Sequence, residues 1–421
     1  MSKSKSVLCA ACAAVVSMSL DVCAAGLWWE NPTIRATVKT CAAIEENNQQ
    51  PAPHFMNVSG SGTYLALDNS CQTWDYSHPV QLFRVADLAA LSGTVEASEV
   101  ALVSGGAKDI FAGTVQDKTA TGPGGWKGAA VCDGVILVGT GRSSAQHFAA
   151  FSTAATGSWT ENSTAFAVTA GDFGFDGPDF NAAGTALYSN NGTTQGQLVR
   201  WNFADLLAEG AALTVDATYA TSAKRIRSVN VYTIGGADLL YYGEGSYVAG
   251  TNPAKVWVWD VTSGTENELF DCSDVFAESD HDIMNVKVSG AGTDDACLYV
   301  TTGAGELFVY RLAADGKSVL STTPAKVFSK DQVRALCKRK SISNLRAFEV
   351  SADGKYAFFT QATNADEPQA LLRRDLVRNP REVLDLLRLG DADHLVDRSV
   401  VDVFVQLFAR HHFTLDPDQP S

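Results

Sequence analysis

Ala347-Phe-Glu-Val-Ser-Ala-Asp-Gly-Lys-Tyr-Ala-Phe-Phe359 decides how the rest of the chain is read. It is two short apolar strands joined by a tight turn, and the turn requires a positive φ near its end, which Gly354 supplies. Two other stretches share the plan. One is Phe55-Met-Asn-Val-Ser-Gly-Ser-Gly-Thr-Tyr-Leu-Ala-Leu67; the other is Asn285-Val-Lys-Val-Ser-Gly-Ala-Gly followed by Cys297-Leu-Tyr-Val-Thr301. Looser copies occupy residues 128–138, 178–188 and 228–242. With Val58, Val131, Phe180, Val231, Val288 and Val350 as anchors, the intervals are 73, 49, 51, 57 and 62 residues, a period expected of stacked repeats.

Each hairpin is followed by a third strand carrying aromatic or branched residues, at 80–85, 147–151, 197–203, 255–261, 306–312 and 370–376. A less regular fourth strand precedes the next copy, as at 211–219, 266–272 and 324–329. A four-stranded antiparallel sheet has two apolar faces and cannot cover both alone, so six such units stack face to face around an axis. The fold class is therefore all-β, one closed ring of six four-stranded blades. The 73-residue first interval leaves room for a seventh within residues 97–125. Leu65, Trp257, Val258, Val300, Phe308 and Phe358 are expected between blades. A pair of β-sandwiches also offers regular strands, but gives no reason for six copies in one order. The sixth copy lacks a fourth strand, and residues 33–44 read as an orphan strand that completes it from the chain's other end.

The turn at residues 350–356 and the strand Val256-Trp-Val-Trp-Asp-Val261 followed by Thr262-Ser-Gly264 resemble repeats of secreted bacterial β-propellers of the lactonase-like or surface-layer type. The resemblance implies a single β-propeller over residues 26–376. It carries blade geometry only, because the metal-binding Glu and Asn of the calcium-dependent lactonases have no matching positions here.

Composition narrows the function. With 32 basic and 47 acidic residues in 421, the net charge is −15, and no basic cluster is large enough to neutralise a nucleic-acid backbone. Lys3 and Lys5, the apolar run to Leu20 and Cys23-Ala24-Ala25 read as an export signal over residues 1–25, cleaved ahead of Gly26. A buried N-terminal helix and a lipoprotein signal at Cys23 are the rival readings; the second lacks small residues at Asp21-Val22. No later stretch is apolar for long enough to span a membrane. The expected location is secreted or periplasmic. Outside the signal stand Cys41, Cys71, Cys132, Cys272, Cys297 and Cys337, enough for up to three disulfides or for isolated buried thiols. Residues 377–421 change composition, and the apolar spacing predicts short helices near 380–388 and 397–408.

Chemistry is expected in the loops leading into the first strand of each blade, which gather around one mouth of the axis. Residues 170–179 concentrate Asp172, Asp176 and Asp179, oxygen ligands of the kind calcium takes, although no EF-hand pattern is present. Residues 278–282 place Asp280, His281 and Asp282 together, where a flanked imidazole could act as a general base. Arg225 and Arg227 could hold an anion. The bland reading of each loop, and the more common one for such stretches, is a solvated acidic surface with capped turns. Asn57, Asn162 and Asn191 satisfy the glycosylation rule. No catalytic constellation is complete. The first expectation is thus a non-catalytic binding or scaffold module for a small molecule, glycan, peptide or protein; the alternative is a calcium-type hydrolase or lactonase-like enzyme with its site at the channel mouth.

Overall fold

In the computed structural model, the residues described are 27–30, 32–41, 55–68, 80–96, 100, 126–140, 145–152, 161–169, 178–191, 196–207, 214–223, 226–244, 255–271, 283–337, 348–361 and 369–376. All belong to one compact unit, Leu27–Leu376. The expected signal and the helical tail lie outside the described residues.

Strand β1 (Pro32–Cys41) comes first in the chain but belongs to the last sheet. The first sheet is β2 (Phe55–Val58), β3 (Tyr64–Asp68) and β4 (Val80–Arg84), followed by helix α1 (Val85–Ala90) and β5 (Gly93–Glu96). The second sheet is β6 (Trp126–Val131), β7 (Val135–Thr140), β8 (Ala145–Ser152) and β9 (Glu161–Thr169). The third is β10 (Asp179–Phe180), β11 (Leu187–Asn190), β12 (Gln197–Trp201) and β13 (Val215–Ala220), with α2 (Phe203–Leu207) between the last two. Strands β14 (Ile226–Ile234), β15 (Ala237–Glu244), β16 (Lys255–Asp260) and β17 (Thr265–Asp271) make the fourth. The fifth is β18 (Ile283–Ser289), β19 (Cys297–Thr302), β20 (Leu307–Arg311) and β21 (Lys326–Phe328), and helix α3 (Lys330–Leu336) follows it. The sixth runs β22 (Phe348–Val350), β23 (Tyr356–Gln361), β24 (Gln369–Leu376), β1, β5.

Among the described residues six sheets are present, but only four of them have four strands, which corrects the expectation of six four-stranded blades. In the first, α1 begins directly at the end of β4, and the strand that follows the helix does not pair with β4. β5 instead lies parallel to β1, Ala36 opposite Gly93 and Lys39 opposite Glu96, making the sixth sheet five-stranded. Val95 packs there with Val38, Val85 and Leu88. Room for a seventh sheet exists only in residues 97–125, outside the described residues apart from Val100.

The first strands carry the ring. β2 packs on β6, β6 on β10, β10 on β14, β14 on β18, β18 on β22, and β22 on β2, so the propeller-like ring of sheets is closed. Apolar clusters fill the seams between neighbouring sheets: Phe180, Leu187 and Trp201 with Ala130 and Leu137, Val256 and Val258 with Val286 and Val300, and Leu65 and Phe83 with Phe358. Of the expected core residues, Leu65, Val258, Val300, Phe308 and Phe358 are buried and Trp257 is half-buried. β1 pairs antiparallel with β24 from Pro32 opposite Leu376 to Cys41 opposite Gln369. Cys132 and Cys297 are buried free thiols, so three disulfides do not form.

Candidate functional site: the axial polar belt

The residue just before each repeat anchor occupies the same place on the first strand of its sheet. These are Asn57, Ala130, Asp179, Asn230, Lys287 and Glu349. Because side chains alternate along a strand, all six turn toward the next sheet while the anchors turn the other way. Five are polar, and the described contacts run round the ring.

Asn57 Oδ1 accepts from the Val131 amide of the second sheet at 2.9 Å. Ala130 has nothing to pass on, and the gap is spanned by Asn57 Nδ2, which donates to Asp179 Oδ1 of the third sheet at 2.8 Å. Asp179 Oδ2 accepts from the Val231 amide and from Asn230 Nδ2 of the fourth sheet, both at 2.8 Å. Asn230 Oδ1 accepts from the Val288 amide of the fifth at 3.0 Å. Lys287 cannot accept, so the link to the sixth sheet is an ion pair, Nζ to Glu349 Oε2 at 2.6 Å. Glu349 then accepts from the Val58 amide of the first sheet at 3.3 Å, closing the circuit.

Most of the belt is buried: Asp179 is 3% exposed, Lys287 5% and Glu349 4%, while Asn230 is half-buried. Burial pushes the Asp179 carboxyl above its ordinary value; Lys287, the Val231 amide, Asn57 and Asn230 oppose that rise. Burial likewise raises Glu349; Lys287 opposes it, and the nearby Asp179 charge adds to it. Asp179 also accepts from the Phe180 amide at 3.0 Å. With that bond its four acceptor positions are filled by protein donors, so it offers a cation no free one.

The ring has two different ends. Beyond the belt the hairpin turns converge. Ser61 Oγ donates to Asp133, the Ala182 amide to Thr233 Oγ1 at 3.2 Å, and the Gly290 amide to the Ala352 carbonyl at 2.7 Å. Turns of sheets that are not neighbours also touch: a Cβ on Gly60 would stand 2.6 Å from Ala182 Cα, and Tyr232 OH donates to Ala352 O at 3.4 Å. At the other end buried polar groups gather where first strands begin and second strands finish. Asn190 Nδ2 donates to Ile226 O at 2.6 Å, Ser228 Oγ donates to Asn285 Oδ1 at 3.2 Å, and Glu244 and Glu306 are buried acids.

Of the residues singled out from sequence, Asp179 lies on β10 in the belt, and Arg227 lies on β14. Asp172, Asp176, Arg225, Asp280, His281 and Asp282 lie outside the described residues. Among the described residues, no group of three or more His, Cys, Asp or Glu is placed to hold a metal. Asn57, which satisfies the glycosylation rule, is buried with its amide nitrogen bonded to Asp179, so the folded chain cannot be modified there. Asn57, Asn230, Lys287 and Glu349 were missed as site residues. Their signal was available: a polar residue before an apolar anchor in five copies of six.

No protein-family model matches the chain, and no curated protein matches it. Among solved structures it is similar to Saccharomyces cerevisiae Sqt1, at 10% identity and a TM-score of 0.33, over 60% of this chain and 62% of that one. The chain thus spans about three fifths of that protein's length. The ring stands on its own strand pairing, independently of this likeness.

Proposed function

We propose that the chain is a non-catalytic binding or scaffold module, a β-propeller that presents the end opposite its turns to a small molecule, glycan, peptide or protein. The observation that carries this reading is the saturation of the belt. The buried carboxylate best placed on the axis, Asp179, holds four donors from three sheets, which makes it a structural hub with no lone pair left for proton transfer. The turn end is crowded by its own tips, whereas segments 170–177 and 272–282 lead into β10 and β18 at the other end. Asp172, Asp176, Asp280, His281 and Asp282 are proposed as the ligand-facing residues of that mouth, with Arg225 and Arg227 beside them. Export, with cleavage after Ala25, and kinship with the secreted lactonase-like or surface-layer propellers belong to the same proposal.

The test replaces residues 170–177 and 272–282, separately, with Gly-Ser linkers and screens the unaltered and altered chains on glycan and peptide arrays. Binding by the unaltered chain that either replacement abolishes supports the reading. Calorimetry with calcium runs in parallel: tight binding by the unaltered chain, lost in Asp172→Asn/Asp176→Asn, would replace the scaffold reading with the metal-assisted hydrolase. N-terminal sequencing of protein recovered outside the cytoplasm checks export, the expected first residue being Gly26.

A further inference from the structure

Residues 27–30, Leu-Trp-Trp-Glu, belong to no strand, yet Leu27, Trp28 and Trp29 are buried. They enter the seam between the fifth and sixth sheets. Trp28 is fully buried, with its ring centroid 6.0 Å from Tyr299 on β19, 5.8 Å from Phe328 on β21, 6.0 Å from Phe348 on β22 and 5.6 Å from Phe359 on β23. Both walls of the pocket are thus aromatic and come from different sheets. Leu27 fills the space over Gly354, where a Cβ would come within 2.9 Å of Leu27 Cδ2. At the rim Arg311 on β20 reads the far end of the segment. Its guanidinium carbon stands 5.1 Å from the Trp29 ring centroid, its Nη2 is 3.5 Å from Glu30 Oε1, and its Nη1 is 3.7 Å from Asp295.

This is how a groove holds a peptide by its side chains. A large aromatic anchor sits in a desolvated pocket, a cation packs on the neighbouring ring, and an ion pair stands where solvent begins. It is not how a strand is held: among the described residues a single backbone hydrogen bond, from the Trp28 amide to Gly354 O at 3.2 Å, ties the segment to the sheets. The other described seams are filled by the strands, helices and turns that flank them, with Val100 as a single added residue between the first and sixth sheets. Only here among the described seams does a separate segment supply the centre of the packing.

We infer that the seam between the fifth and sixth sheets is a peptide-binding groove, filled in cis by residues 27–30, and that its ligand class is a short segment of two adjacent aromatics followed by an acid. The groove is remote in kind from the mouth proposed above, and either assignment stands or falls without the other.

Trp28→Ala/Trp29→Ala in the full chain empties the anchors and leaves the walls. A fluorescein-labelled heptapeptide spanning residues 26–32 is titrated into that variant and into the unaltered chain by anisotropy. The variant should bind it at least tenfold more tightly, because in the unaltered chain the resident segment competes. The same peptide carrying Glu30→Lys should bind the variant at least threefold more weakly, since it opposes Arg311. Equal binding to both chains, or no binding to a variant whose far-UV circular dichroism is unchanged, overturns the inference. If the variant does not fold, its refolding from urea is followed with each peptide present. Recovery with the native peptide and not with a Trp28→Ala peptide supports the groove; no recovery with either overturns it.

Discussion

Asp179 shows how much one side chain can carry. Truncating Asp179→Ala leaves the Val231 amide and the amide nitrogens of Asn57 and Asn230 buried without their acceptor, at about 1–3 kcal/mol for each group that cannot relax. A loss of about 3 kcal/mol or more is expected in guanidinium denaturation followed by tryptophan fluorescence, and a loss under about 1 kcal/mol would show that the belt is dispensable. The Lys287–Glu349 pair behaves differently. Lys287→Met leaves a buried carboxylate with only the Val58 and Val350 amides, and should cost about 3–5 kcal/mol. Adding Glu349→Gln removes the stranded charge and keeps an acceptor, so the double variant should be more stable than Lys287→Met alone by at least about 1 kcal/mol. Asp260 supplies a pH signature of the opposite sign. Burial opposes its ionisation, yet bonds from Lys317, Ser263 and Thr262 hold the carboxyl down from 3.8 to about 2. A lowered carboxyl stabilises the fold above its ordinary value and loses that contribution as the pH falls toward about 2. Asp260→Asn should therefore flatten that part of the acid-unfolding curve measured on the unaltered chain.

Turns and added strands set the next level. Gly60 has no positive φ, so its requirement is space: a Cβ would meet Ala182 Cα at 2.6 Å, backbone against atom with no rotamer to relieve it. Gly60→Ala should lower stability by about 1–3 kcal/mol, while Gly134→Ala, with nothing within 4 Å of the new methyl, should stay within about 0.5 kcal/mol. Thermal unfolding of the two variants side by side checks this. The strand β1 lies between β24 and β5, so deleting residues 26–44 uncovers the edge of β24, leaves β5 without its partner and removes the Trp28 anchor. Such an edge is a template for pairing with another chain. The truncated protein is expected to aggregate, and a truncated chain that stays monomeric with an unchanged thermal transition would show that another strand seals the ring.

At the scale of the whole molecule, the belt ties neighbours into one circuit and the seams are continuous apolar clusters. A closed ring of this kind should unfold in one transition, with tryptophan fluorescence and far-UV circular dichroism superimposing, whereas an open array of sheets would separate the two probes. Belt carboxyls held above their ordinary values bind protons more tightly in the folded chain than in the unfolded one. Their contribution to stability is therefore greatest at low pH and declines as the pH rises through the folded values. Removing Lys287, the cation that opposes the rise of both, should push the folded values further up and so deepen that decline, read as denaturation midpoints over a pH series.

The repeat and its phase were legible without coordinates, because strand alternation and the positive φ at Gly62, Gly292 and Gly354 are local properties of the chain. The same locality made the third strands and the orphan strand at residues 33–44 readable. Nothing local records that β4 runs into a helix and gives up its fourth strand, or that β5 crosses to lie parallel to β1, since pairing across sheets depends on which edges the closed ring leaves open. The candidate site divides in the same way. Asp179 was noticed as one acid among three in a loop, but its role follows from the three sheets that surround it. Lys287 and Glu349 stand 62 residues apart and meet only because the fifth and sixth sheets stack with β18 against β22.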